Sequence, residues 1–486
     1  MSPVSRLARS SLARLQASTG TRKRTLAGLI ALPLATAFVA GTALGVGAES
    51  GGWGWIAIVA SIPAAALVGV IAARALIATA QSVRRTHSAF WIVDKLAPLR
   101  LAIRDGGPRR VNIIHPAIDL KHFFGGFIAV FNLARRLGER GHRVRVIALE
   151  GSRPPADWRA QLASYEGIGD SALELEVVFA ADPSEPIEAS PDDALIATHW
   201  TAAHVAAIAL PELRAERFLY LIQEYEPFIF PMGSAAALAR GSYELPHAAL
   251  FSTDLLRDWF AANAIGVFAN GRAGGDRDSV SFDNAITPVA PVRAEDLSRR
   301  GPGRLLFYAR PEEHASRNLF EVGAMALDEA IASGRFAGWE LAGVGTVELG
   351  RGALALPRSG ATLRLVPRGP QEDYGRLLSS FDVGLALMYT PHPGLVAIEM
   401  AAAGMATVTN TFDNKDAAAL GAISANLIAA DPSVDGVATA LALAEERSGR
   451  LEERARGSQV AWPASWDEAL GDDTLAEVER LIANDR

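Results

Sequence analysis

The stretch TPHPGLVAIEMAAAGMATVTN, from Thr390 to Asn410, holds residues whose types and spacing suit anion chemistry. It reads as a tight Pro/Gly loop, an amphipathic helix and a short buried strand. Gly394 and Leu395 fall at the helix start, where free backbone N–H groups and the dipole favour negative charge. Glu399 lies one turn further in. A carboxylate there can accept hydrogen bonds from vicinal hydroxyls such as those of a ribose. A phosphate cradle beside a ribose acceptor is what a nucleoside-diphosphate ligand needs. An ordinary loop–helix–strand with one solvated Glu has the same pattern, so the reading needs support from elsewhere in the chain.

That support comes from four further segments. In FYARPEEHASRN, Arg310 ends a strand and Arg317 precedes a helix that Asn318 can cap. Two guanidiniums beside a helix start suit a pyrophosphate through bidentate bonds; surface pairing with Glu312 and Glu313 is the alternative. In HPAIDLKHFFGGF, Gly125 and Gly126 open a helix where backbone approaches a phosphate or sugar closely, and Asp119, Lys121 and His122 share the preceding loop. In THWTAAH, His199 occupies a strand-to-helix turn, a position from which imidazole can serve a sugar hydroxyl. In QEYEPFIFPMGS, Glu224, Tyr225 and Glu226 precede Pro227. Alternation in an extended segment places Glu224 and Glu226 on one face, as a base or as hydrogen-bonding groups for an acceptor hydroxyl.

All of these must be positioned by alternating strands and helices. Strands are expected at Val111–Ile118, Val144–Leu149, Leu175–Phe179, Ala194–Thr198, Phe218–Ile222 and Ala248–Ser252, with helices at Phe127–Arg140, Thr201–Leu210 and Asp254–Asn263. The alternation restarts after Pro302. Strands follow at Arg304–Tyr308, Glu340–Ala342, Thr362–Val366, Val383–Leu387, Ala406–Thr409 and Asn426–Ala429. Helices are expected at Leu319–Ala332, Gln371–Ser380, Val396–Ala403 and Val434–Glu446. The pattern predicts an α/β chain of two Rossmann-like, doubly wound domains, at 106–300 and 301–455, with a tail helix in 456–486. The Gly-rich segment Asn270–Asp283 reads as a mobile surface loop. Tandem domains of this kind place a ligand between them, at the C-terminal ends of their strands.

Composition narrows the classes further. The formal net charge of −7 argues against a nucleic-acid-binding chain. The lack of cysteine excludes disulfides, thiolate metal sites and a Cys nucleophile. Residues 1–105 differ from the rest. Six basic residues up to Arg24 precede an uncharged apolar run from Thr25 to Ala48, and a second apolar run extends from Trp53 to about Ala80. Basic residues return from Arg84. The pattern predicts a transmembrane helical hairpin with both ends cytoplasmic, hence the inner membrane with the catalytic domains on its cytoplasmic face. A cleaved signal peptide ending near Ala48 competes less well, because a second apolar run follows at once.

From about Arg109 onward the chain resembles the GT-B glycosyltransferases, which have two facing Rossmann-like domains. Arg310…Arg317 and Gly394-Leu395…Glu399 resemble the donor site of the retaining family-four enzymes. QEYEP, FYARP…RN and PHPGLVAIEMAAAG resemble the rhamnosyltransferases that build cell-surface glycans from dTDP-L-rhamnose. The resemblance implies that Arg310 and Arg317 contact the diphosphate, Glu399 the ribose and His199 the transferred sugar. It also places Gly125 and Gly126 at the donor phosphate. Pro391 stands where the first Glu of the family's Glu-x7-Glu pattern would be, and Arg317 where a Lys is usual.

These readings combine into a membrane-anchored, metal-independent hexosyltransferase with a nucleotide sugar as co-substrate and no other cofactor. Its acceptor is a glycan or a lipid-linked sugar, met by His122, Tyr225 and Glu226. Glu224 and Asp119 are the candidate bases for an inverting reaction. The rivals are a non-catalytic GT-B membrane scaffold and a sugar-nucleotide epimerase or hydrolase.

Overall fold

The computed structural model describes residues 91–118, 120, 125–150, 156–180, 186–298, 301–346, 352–367, 369 and 371–483. The predicted transmembrane hairpin lies outside the described residues, as do Asp119, Lys121 and His122. Among the described residues no helix is long and apolar enough to cross a membrane. The chain divides into two compact units, 1–98 and 99–486. Of the first, only a short helix, Trp91–Lys95, and the residues after it are described.

The second unit opens with β1 (Leu101–Ile103), β2 (Val111–His115), β3 (Val144–Ala148), β4 (Glu176–Phe179) and β5 (Ile187–Ala189). β6 (Ala194–Ala197), β7 (Phe218–Ile222), β8 (His247–Ser252) and β9 (Ser279–Phe282) follow. β1 and β5 form a small parallel pair. The others make a seven-stranded parallel sheet in the order β4-β3-β2-β6-β7-β8-β9. Its strands are apolar on both faces, as a parallel sheet covered by helices requires. Along β7, Leu219 and Leu221 enter one core layer while Phe218, Tyr220 and Ile222 enter the other.

The second sheet holds β10 (Arg304–Tyr308), β11 (Glu340–Val344), β12 (Gly352–Ala355), β13 (Thr362–Leu365), β14 (Val383–Leu385), β15 (Ala406–Asn410) and β16 (Leu427–Ala430). Its order is β12-β13-β11-β10-β14-β15-β16, and only β12 runs antiparallel to its neighbour. The same two-faced burial recurs: Leu305 and Phe307 pack on one side of β10, Leu306 on the other.

Two expectations change here. Asn270–Asp283 is not a loop. It forms the helix Arg272–Arg277 and then β9, the seventh strand. Its charges hid the pattern, because they pair at the surface, Arg272 with Asp258 and Arg257 with Asp276. β9 is an edge strand that needs a partner on one side only, and Phe282 supplies its contribution to the core. The tail also does more than end the chain. Trp466 and the helix Asp472–Ala483 return to the first sheet, where Leu475, Val478, Leu481 and Ile482 fill its core. The chain therefore crosses between the sheets twice. The crossings touch where Ile286 N–H donates to the Pro463 carbonyl (3.1 Å) and Trp462 Nε1–H to the Asn284 carbonyl (2.8 Å).

Candidate active site

A cavity of about 520 Å3 opens between the two sheets. Its walls come from the turns after β2, β7, β9, β10 and β14, where the strands of a doubly wound sheet deliver their loops.

The first-sheet wall is the start of the helix Gly125–Glu139. A Cβ at Gly125 would stand 3.0 Å from Leu395 Cδ1 of the other sheet, so glycine permits the approach. Gln223 Nε2–H donates to the Gly126 carbonyl (2.9 Å), and Asn284 Nδ2–H to Gln223 Oε1 (3.3 Å). This chain of contacts links the crossover at Asn284 to the glycine wall. Both side chains line the cavity, and both were missed in the sequence, where amides in loops carry no pattern.

The second-sheet wall carries the cations. Arg310 is buried, with Nε–H on Glu312 (2.8 Å), Nη1–H on the Tyr308 hydroxyl (3.2 Å) and Nη2 3.1 Å from His314 Nε2. Glu312 in turn accepts from the Thr346 hydroxyl (2.9 Å). The expected pairing with Glu312 is present, yet it orients the arginine at the cavity rather than removing it. Arg317 lines the same wall, with Nε 3.3 Å from Glu224 Oε1 of the first sheet. That ion pair joins the two sheets across the cavity. Burial raises the pKa of Glu224, while Arg317 and Lys415 draw it back down.

The helix Leu395–Ala402 starts as expected, but the expectation of a free Gly394 N–H is corrected. With φ at 88°, Gly394 turns its N–H onto His392 Nδ1 (3.0 Å). Leu395 and Val396 then open the helix, where N–H groups have no intrahelical acceptor. His392 lines the cavity, and burial first, then Lys415 and Arg317, pushes its pKa down to about 3. It is therefore neutral, with the hydrogen on Nε2. The buried Lys415 ammonium braces this loop through the Met388 and His392 carbonyls, the latter at 3.3 Å. Burial lowers its pKa to about 7, and Glu224 opposes the shift. Asn410 clamps Met388 from both backbone directions, at 2.6 and 3.1 Å. A polar residue ending an apolar strand was the available signal for Asn410; none marked Lys415 or His392.

Glu399 is buried one turn behind the cavity lining, where Oε1 accepts Thr287 N–H (2.9 Å) and the Tyr374 side chain lies against it. It thereby ties the helix to the crossover. Three other expected residues fall outside the lining. Tyr225 packs among Phe228 (4.7 Å between ring centroids), Trp259 (5.0 Å) and Phe260 (5.7 Å), so it is core rather than an acceptor contact. Glu226 does not share a face with Glu224. A 3₁₀ turn, Glu226–Ile229, with Pro227 in its first positions, replaces the extended segment and rotates Glu226 inward. There Oε2 accepts from the Tyr220 hydroxyl (2.8 Å), and burial pushes the pKa up to about 8. His199 caps the helix Trp200–Ala209, its Nδ1 accepting Thr201 N–H (3.3 Å), and its Nε2 lies 3.4 Å from Glu226 Oε1. Among the described residues no cluster of three or more His, Asp or Glu is placed to hold a metal.

Comparison with known proteins agrees with this architecture. The WsaF N-terminal domain family matches residues 110–254 and the WsaF C-terminal domain family residues 303–442. The two are matched in order and together span more than half of the chain. The O-antigen biosynthesis protein RfbC of Myxococcus xanthus is 29% identical over 368 residues, which cover 72% of this chain and 26% of that protein. This chain thus spans about a quarter of that relative's length. Among solved structures, HepE of Anabaena in complex with UDP-glucose aligns with a TM-score of 0.51 at 13% identity, over 76% of this chain and 98% of that one. A glycosyltransferase of Rickettsia africae aligns at 0.50 and 13%, over 78% and 100%. The fold is GT-B.

Proposed function

We propose that this chain, a glycosyltransferase of the GT-B fold, moves a hexosyl unit from a nucleoside-diphosphate sugar to a glycan or lipid-linked acceptor of a surface polysaccharide. The observation that carries the proposal is the cavity itself. Two arginines, a helix start and a glycine wall converge on one space of about 520 Å3.

The donor diphosphate lies against Arg310, Arg317 and the Leu395 and Val396 N–H groups. As the glycosidic bond to phosphate breaks, the charge on the leaving oxygen is stabilised by donors already held in place. Glu399 takes the 3′-hydroxyl of the nucleoside pentose in exchange for its contact with Tyr374. His392 Nε2–H and Glu224 face the sugar end, and Glu224 receives the acceptor hydroxyl. The Glu224–Arg317 pair draws the domains together and keeps water from the donor. We take the donor to be dTDP-L-rhamnose, on the sequence resemblance. The RfbC relative supports a role in surface polysaccharide assembly. The apolar runs at 25–80 anchor the enzyme in the membrane beside a lipid-linked acceptor. Pro391 alone favours a non-catalytic scaffold.

The test is nucleotide-sugar turnover by the full chain in detergent, followed by mass spectrometry, with dTDP-L-rhamnose and UDP-glucose among the donors. Release of nucleoside diphosphate with a glycosylated product is expected. Absence of binding and turnover for every donor sinks the proposal, and product formed without an acceptor shifts it to an epimerase or hydrolase.

A further inference from the structure

Beyond the donor cavity, the mouth of the cleft carries an aromatic surface that the transfer chemistry does not use. Phe228 and Tyr389 are 42% and 46% exposed, unusual for rings of that size. Phe412 lies between them, its centroid 5.7 Å from Phe228 and 4.9 Å from Tyr389, with the rings crossing at 67° and 89°. Phe228 comes from the first-sheet side and the other two from the second. Together with Ser316, Arg317 and Leu319 they line a recess of about 220 Å3. Arg317 also lines the donor cavity, so the two spaces share a wall.

The recess is built rather than incidental. Tyr389 N–H donates to the Arg317 carbonyl (2.7 Å), which ties its backbone to the one that carries the guanidinium. Behind Phe228, Trp259 donates from Nε1–H to Asp413 (2.7 Å), next to Phe412. Leu319 holds a left-handed backbone (φ 47°), a costly state for a branched side chain.

We infer that this recess is a subsite for a pyranose ring of the acceptor glycan. The inference rests on the transferase reading. One face of a pyranose is a patch of C–H bonds, which the negative face of an aromatic ring attracts, while its rim of hydroxyls requires polar partners. The recess supplies both, since three rings line it together with Arg317 and Ser316. An isoprenoid tail would need a longer, wholly apolar track, and the Arg317 wall interrupts one. A ring seated here lies against the residue shared with the donor cavity, which is where an acceptor hydroxyl must arrive.

The experiment uses the full chain in detergent, saturated with dTDP or UDP. Saturation-transfer NMR is recorded with methyl α-L-rhamnopyranoside, methyl α-D-glucopyranoside, methyl α-D-mannopyranoside and farnesyl phosphate as probes. Nucleotide affinity is measured in parallel by calorimetry. Wild type should transfer saturation to the ring C–H protons of at least one glycoside. Phe228→Ala with Tyr389→Ala should lower that signal about fivefold or more, while nucleotide affinity stays within about twofold. Phe228→Trp with Tyr389→Phe, which keeps both rings, should retain it. The inference is overturned if the alanine pair leaves the glycoside signal intact, or if no glycoside responds while nucleotide binds. Saturation that falls on the farnesyl protons alone also overturns it. If no nucleotide binds, the transferase reading fails and the acceptor assignment with it, and a glycoside signal lost in the alanine pair then upholds only a sugar-binding recess.

Discussion

Arg310 is held in a fixed orientation at the cavity wall. Glu312, Tyr308 and His314 hold the guanidinium, and Thr346 holds Glu312. Such a group loses little freedom on binding, and a charge-assisted contact of this kind contributes about 1.5–3 kcal/mol. Arg310→Ala should therefore weaken nucleoside-diphosphate binding roughly 10- to 100-fold by calorimetry, and Arg310→Lys should recover only part because it lacks the planar fork. Glu226 makes a different prediction, about pH. Its folded pKa of about 8 exceeds its ordinary 4.5, first because it is buried. Between those values the folded chain keeps a proton that the unfolded chain has released. Stability contributed by the neutral acid is complete below pH 4.5 and is lost as pH rises toward 8. Glu226→Gln mimics the neutral acid. Its Tm should match wild type near pH 5 and exceed it near pH 8, and equal slopes at both ends would refute the assignment.

At the scale of elements, the loop from Met388 to Gly394 matters most. Lys415 and Asn410 brace one end of it, and the Gly394 N–H closes the other onto His392. Gly394 sits at φ 88°, where an added Cβ would meet Met388 Sδ at 3.3 Å. Gly394→Ala should lower stability by about 1 kcal/mol, from backbone strain. It should lower kcat/KM for the donor by more than that loss accounts for, because the helix start shifts against the proposed diphosphate position. Thermal denaturation beside steady-state kinetics separates the two effects. Equal Tm and equal kinetics would show that the positive φ has no role in the site.

Across the whole molecule, the tail makes the fold of the first domain depend on the last residues of the described chain. Trp466 is 3% exposed in the first core, against Gly167, where a Cβ would stand 2.8 Å from the indole. Glu479 pairs with Arg140 (2.8 Å) on the same face. Trp466→Ala should cost about 3–5 kcal/mol. Hydrogen exchange should quicken first in β2, β6 and β7, with the second sheet less affected. A uniform change over both sheets would mean that the two domains unfold as one unit.

The alternation of strands and helices can be read from the chain alone, because a strand buried on both faces is an apolar run that no distant contact has to explain. Phe218–Ile222 and Arg304–Tyr308 were legible to the residue for that reason. The same pattern marks Arg310, Arg317, Gly125 and Gly126 as cavity residues, since a parallel sheet delivers its loops to one edge. The rest depends on contacts made only in the folded chain. Gln223, Asn284 and Lys415 act on the site through partners far away in sequence, and neither hydropathy nor spacing records such pairings. The 3₁₀ turn at Pro227 parted Glu224 from Glu226 although they alternate in sequence. β9 was hidden by the surface-paired charges of its segment, and the tail helix found its place only by packing on a sheet formed far upstream, a long-range burial that local pattern does not encode.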